Sequence, residues 1–283
     1  MSEHVAHLDR VPTRFRALIV PREHGAWGML LVPLVTGAAV GVSSVTAIGP
    51  LVTFATSALL LFWLRTPLES WLGTTPMRAQ TGQERRFVLA AVMFLVTITS
   101  ILLGSLFWNG RNLGLLLVGA AAGAAFGTQA IIKRFGRRMR MPAQIIGALG
   151  LSSCAAAAYY VVTGHFGLRA IGLWLASWLF AADQIHFVQL RIQNGRMVGL
   201  ARRLRRGSVF LVAQTLMLGV VLLLCRYGIF PRLAVVAFLP VLIRGLAWFA
   251  EKPSPLSVKR LGWTELAHAI IFGILLTTTF RLA

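Results

Sequence analysis

The chain has 283 residues, 57% of them hydrophobic and 13% charged, with a mean hydropathy of +0.75 and a formal net charge of +20. So apolar a composition excludes an ordinary soluble domain and marks a polytopic membrane protein with the lipid bilayer as its partner. The Lys and Arg residues fall in short clusters between apolar segments, not along one soluble face, so nucleic acid is not an expected partner. Cys154 and Cys225 sit inside apolar segments without CxxC or Cys/His spacing, which indicates neither a disulfide framework nor a zinc site.

Residues 1–24 form a polar stretch that reads as a cytoplasmic N-terminal segment. The apolar run after it is long enough to span, which favours a retained first helix over a cleaved signal peptide. Nine apolar runs follow in order: 26–42, 47–64, 87–106, 113–130, 143–162, 171–185, 208–224, 233–249 and 265–280. The sixth and ninth are short and have to borrow their polar flanks to cross. The expected fold is all-α, a polytopic membrane helical bundle of about nine transmembrane helices, with residues 25–283 as a single transmembrane domain.

Charge tests that count. If the N-terminus is cytoplasmic, the clusters within 10–22, 65–86, 133–140, 191–206 and 244–260 hold 23 Lys and Arg on the inner side. Arg111, Arg169, Arg226, Arg232 and Arg281, five residues, remain outside. One missed span would invert every later loop, so the asymmetry supports nine crossings of an inner membrane, with the C-terminus outside. All eight acids fall on that same cytoplasmic side, and the outer connections are short turns.

Two runs look like scaffold. The fourth carries Gly119, Gly123 and Gly127 at four-residue intervals, and the fifth carries Gly147, Ala148, Ser152 and Ala155 to Ala158. Small residues let helices approach closely in lipid, so both are expected to pack tightly against neighbours.

Polar groups gather at the cytoplasmic ends. The first run opens with Pro21, Arg22, Glu23 and His24, which suit either a solvated helix start anchored by Trp27 or the wall of a site. After the second run, Arg65 and Glu69 lie four apart and share a helix face, with Arg78 beyond them. Pro67 between them suits a first helical turn, so a kink and a new cytoplasmic helix are expected there. The sixth run ends in Asp183, His186 and Arg191, and the ninth opens with Lys259, Glu265 and His268. A carboxylate and a His three apart project from one face, as in metal sites built inside helical bundles and also in simple hydrogen-bonded pairs.

The stretches PREHGAWGMLLVPLVTG, RTPLESWLG, DQIHFVQLRI and KRLGWTELAHA resemble the YwiC-like family of bacterial membrane proteins over nearly the whole chain. Nine spans with polar motifs at the cytoplasmic ends of the second and sixth are also similar to the UbiA superfamily of intramembrane prenyltransferases. That second resemblance implies an Asp-rich motif for magnesium and diphosphate, with Arg65 at its Asn position, Thr66 and Glu69 at its first two Asp positions, Gly73 at the third, and Arg78 as the following arginine. It implies a second motif led by Asp183, with His186 at an aromatic position, Leu190 where another acid is usual and Arg191 at a basic one. Only one carboxylate per motif is retained, a thin set of magnesium ligands for ionising a diphosphate.

Three functions follow. The first is binding of an anionic or diphosphate-bearing hydrophobic ligand in a basic cytoplasmic-facing cavity, using Arg22, Glu23, His24, Arg65, Arg78, His186, Lys259, Glu265 and His268. The second is active prenyl transfer on the UbiA pattern, with Glu69, Asp183 and Arg191 catalytic and magnesium held by Glu69 and Asp183. The third is a metal- or haem-related site built from His24, His186 and His268 with the nearby carboxylates.

Overall fold

The computed structural model describes residues 10–21, 24–42, 47–73, 77–111, 113–194, 199–251 and 257–283. Among them are ten α-helices: α1 (Arg10–Ile19), α2 (His24–Gly41), α3 (Ile48–Leu72), α4 (Gly82–Trp108), α5 (Leu113–Lys133), α6 (Arg140–Thr163), α7 (Leu168–Asn194), α8 (Leu200–Arg226), α9 (Val235–Ala250) and α10 (Val258–Arg281). The chain is all-α and polytopic. Helices α3 to α8 and α10, and α9 taken with the 3-10 turn before it (Arg232–Ala250), make eight segments long and apolar enough to cross a bilayer, whereas the apolar part of α2, Ala26–Gly41, falls short of that length. All nine apolar runs therefore become helices. The sixth and ninth do borrow their flanks: α7 continues through Asp183, His186 and Arg191, and α10 starts before Lys259. The tenth helix, α1, comes from the polar N-terminal segment.

The chain forms two compact units. The first contains α1, α3 and α4, with α3 and α4 packed as a hairpin. Helix α1 is amphipathic and places Leu18 in a small core with Ala79, Val88 and Val92. Phe15 meets Phe87 edge to face at 5.0 Å, and Trp63 Nε1 donates to the Ile19 carbonyl at 2.9 Å. Glu84 closes a capping box with Thr81 at the start of α4 and takes Arg14 Nε at 2.5 Å. The new helix expected at Pro67 does not form, because α3 runs on to Leu72 with Pro67 inside it. One ladder hydrogen bond is lost to the proline ring. The turns around it are held by Trp63, by the Arg65–Glu69 pair and by the Ala79 amide donating to the Ser70 carbonyl at 3.2 Å.

The second unit holds α2 from Gly25 onward and α5 to α10. Its centre is α6, whose residues Ala155, Ala156 and Ala158 are wholly buried. The small residues expected to serve packing in this helix do so. Gly147 receives the Gln129 side chain, Gly150 receives Phe126, and a Cβ on Gly37 of α2 would lie 2.0 Å from the Ala155 carbonyl oxygen. Trp174 and Trp178 of α7 donate their indole N–H groups to the α6 carbonyls of Leu149 and Ile145 at 2.9 and 3.0 Å. An aromatic core follows, with Phe180 stacked on Phe272 at 4.2 Å and Phe238 edge-on to the same ring at 5.3 Å.

The fourth run departs from expectation. Gly119, Gly123 and Gly127 on α5 are exposed, with open space where a Cβ would go. It is Gly114, against Tyr160, together with Gln129 and Phe126, that seats α5 on α6. The four-residue spacing lies on a different face of the helix from these contacts.

This contrast is measurable. Gly37→Ala is expected to destabilise the folded protein by about 1–3 kcal/mol through backbone displacement. Gly119→Ala, on an open helix face, is expected to be neutral or to stabilise by about 0.5–1 kcal/mol. Thermal unfolding of both variants in one detergent decides it, and equal midpoints would contradict the α2–α6 approach.

Candidate functional site

In the second unit four helices bring polar side chains to one place inside their apolar length. Arg244 of α9 donates from Nη2 to Asp183 Oδ2 of α7 at 2.8 Å and from Nη1 to Glu265 Oε2 of α10. Gln214 of α8 donates to the other Asp183 oxygen at 3.0 Å, and Gln184 donates to the Glu265 main-chain carbonyl at 2.9 Å. The guanidinium lies over the Phe187 ring, 4.1 Å from its centroid. The side chains of Arg244, Asp183 and Glu265 are only 9%, 3% and 8% exposed. Charges so buried persist only when paired and hydrogen-bonded, and here one cation serves two carboxylates. Gly245 is needed beside Arg244, since a Cβ there would meet Gln214 Nε2 at 2.3 Å. Among the described residues three buried polar atoms of the network have no partner: Arg244 Nε, Glu265 Oε1 and Gln214 Oε1.

A plug of Phe187, Leu190, Phe210, Trp248, Phe249 and Leu261 lies next along the helices. Beyond it Arg191 Nη1 pairs with Glu251 Oε2 at 2.6 Å. Arg203 donates to the carbonyls of Trp248, at 2.9 Å, and Glu251, and stacks 5.5 Å from the Trp248 ring. These are carbonyls at the C-terminal end of α9, so a buried cation both fills their open acceptors and meets the negative end of the helix dipole.

The structure thus joins Asp183 with Glu265, and it places Arg191 at the neighbouring layer. His186 stays outside the ion network, edge-on to Phe210 at 5.2 Å, and His268 turns Nδ1 to the Thr264 carbonyl at 2.7 Å. Neither His hydrogen-bonds the carboxylate three residues before it. Lys259 is exposed on the first turn of α10. In the first unit Arg65 Nε meets Glu69 Oε1 at 3.1 Å, and Arg78 is exposed beyond α3. Arg22 and Glu23 lie outside the described residues, and His24 opens α2 with its side chain outside the description.

Among the described residues no three His, Cys, Asp or Glu side chains converge to hold a metal ion. The donor set does not fit magnesium at Asp183, because both carboxylate oxygens already accept from a guanidinium and an amide. Arg244, Gln214 and Gln184 escaped the sequence reading. By position Arg244 counts with the loop cations, although it interrupts the apolar run VLIRGLAW and its side chain is only 9% exposed within α9. A charge inside a span implies a partner of opposite sign on another helix, and that was the available signal.

A family model described as YwiC-like protein matches residues 20–159, just under half of the chain. This stretch belongs to the YwiC-like family. The YwiC-like match carries α2 to most of α6 and stops before α7. The stretches after residue 159 that resemble the same family therefore lie outside it, as do Asp183, Gln214, Arg244 and Glu265. No curated protein and no solved structure matches the chain.

Arg244→Met would strand the Asp183–Glu265 acid pair in the apolar interior and is expected to cost about 3–5 kcal/mol. Adding Asp183→Asn and Glu265→Gln removes the stranded charge and should recover much of that loss. Thermal unfolding in detergent, read with the fraction of monodisperse protein, tests the pair of outcomes.

Proposed function

We propose that the chain is a multi-pass protein of the cytoplasmic membrane that binds an anionic amphiphile at its cytoplasmic face without breaking it. The observation that carries this reading is that each described acid of the second unit is engaged by an arginine while cations crowd one end of that unit. Arg202, Arg205 and Arg206 open α8, Lys259 and Arg260 open α10, and Lys133 to Arg140 surround the α5–α6 connection. The Gln189–Gln144 contact, 3.2 Å, ties the last of these to the end of α7. Arg191 stands among them with Nε buried and unpartnered. The opposite end of the unit carries Arg169, Arg226, Arg232 and Arg281. Helix α2 starts at the basic end, since Gly28 faces Leu266 while Gly41 faces Thr163 and Arg281 donates to the Val42 carbonyl at 2.9 Å. This distribution supports an N-terminus in the cytoplasm and a C-terminus outside.

An anionic head group at this end would take charge-assisted hydrogen bonds from arginines, with its tail in lipid. Prenyl transfer is not supported, because Asp183 is committed to Arg244 and Gln214.

Purified protein is expected to retain phosphatidylglycerol or farnesyl diphosphate, seen by native mass spectrometry, in the presence of EDTA. Arg191→Gln should weaken retention about tenfold or more, the scale of one hydrogen bond to a charged group. A strict magnesium requirement would instead restore the prenyltransferase reading.

Orientation is tested separately in a chain with Cys154 and Cys225 replaced by Ala. A membrane-impermeant maleimide should label Arg169→Cys in intact cells and Arg206→Cys only after lysis. The reverse pattern would overturn the assignment of sides.

A further inference from the structure

The ion network carries one more acid than base, and the surplus has a definite location. Asp183 has both oxygens occupied, one by Gln214 and one by Arg244. Glu265 has Oε2 on Arg244, while its buried Oε1 receives no donor. The charged and titratable groups around it can be enumerated by helix. From α7 come Asp183 and the neutral Gln184, from α9 Arg244, and on α10 itself His268, which acts on Glu265 electrostatically without touching it. From α8 comes the neutral Gln214, and α2 has no titratable side chain after His24. Among the described residues no second full cation pairs with Glu265.

We infer that Glu265 Oε1 is a proton-binding site inside the membrane-spanning part of the second unit. The observation is the undonated, buried carboxylate oxygen in a cluster that is otherwise one positive charge short. Binding forms an O–H bond on Glu265, turns an orphan acceptor into a donor, and leaves the Asp183–Arg244 pair electrically balanced. No electron moves, and water supplies and recovers the proton.

A metal ion does not meet the same need. Sodium or calcium asks for several oxygens, whereas the cluster leaves two unfilled, Glu265 Oε1 and Gln214 Oε1. The neighbouring cavity, bordered by Gln184, Ser177, Phe180 and Met29, is about 10 Å³, room for roughly one water and none for a hydrated ion. The inference is independent of anionic-ligand binding, which concerns the far side of the aromatic plug.

The test is infrared spectroscopy of the full-length protein in lipid at neutral pH in potassium chloride. A protonated-carboxyl band is expected that moves when glutamate side-chain carboxyls carry ¹³C and stays when aspartate is labelled instead. Glu265→Gln should abolish it. Should that variant fail to fold, a chain with Gln at Glu3, Glu23, Glu69, Glu84 and Glu251 is expected to keep the band, which assigns it to Glu265 by a second route. Absence of a glutamate-dependent band, a band that follows the aspartate label, one that survives Glu265→Gln, or one that sodium chloride removes would each overturn the assignment.

Discussion

Arg244 held between Asp183 and Glu265 is the interaction on which the second unit turns. None of the three can stand alone in hydrocarbon, since an isolated buried charge costs several kcal/mol even after relaxation. The pairing therefore requires α7, α9 and α10 to meet at one level, and Gln214 adds α8 to the same contact. Apolar side chains cannot impose such a register, because lipid tails are as good a partner for them as another helix. Polar groups supply the specificity. The cost is three unpartnered buried atoms, concentrated on Arg244, Glu265 and Gln214.

The same helices repeat the device nearer their ends. Arg191 with Glu251, and Arg203 on the last carbonyls of α9, form a second polar layer separated from the first by the aromatic plug around Phe210 and Trp248. The inner layer pairs its charges internally apart from the surplus acid at Glu265. The outer one grades into Arg202, Arg205 and Arg206, which are exposed at the start of α8. The inner layer fixes the relative positions of α7 to α10, and the outer one lies nearer the ends of the same helices.

Glycine shows how far spacing alone carries an argument. The repeat Gly119, Gly123, Gly127 has the form associated with close helix contact, yet it faces open space, whereas Gly37 and Gly41, spaced alike, meet α6, and Gly147 and Gly245 lie against glutamine side chains with no such repeat. Which face of a helix meets a partner is set by the whole bundle, and a four-residue period exists on every face. Pro67 teaches the same point locally. Its ring removes a single hydrogen bond, and a helix tied on both sides of it continues regardless.

The number and placement of the apolar helices, their all-α class and the gathering of polar residues at particular helix ends were determined by the sequence itself, because lipid leaves the backbone no other way to satisfy its hydrogen bonds. The importance of Asp183 and Glu265 was legible too, since a carboxylate within an apolar run demands compensation. Their partner was not. Both were read with the His residue three positions on, but the cation that neutralises them lies 61 and 21 residues away in the chain. Only the tertiary structure brings Arg244, Gln214 and Gly245 to them, because Coulomb attraction acts through space at a few ångströms while sequence spacing describes one helix at a time.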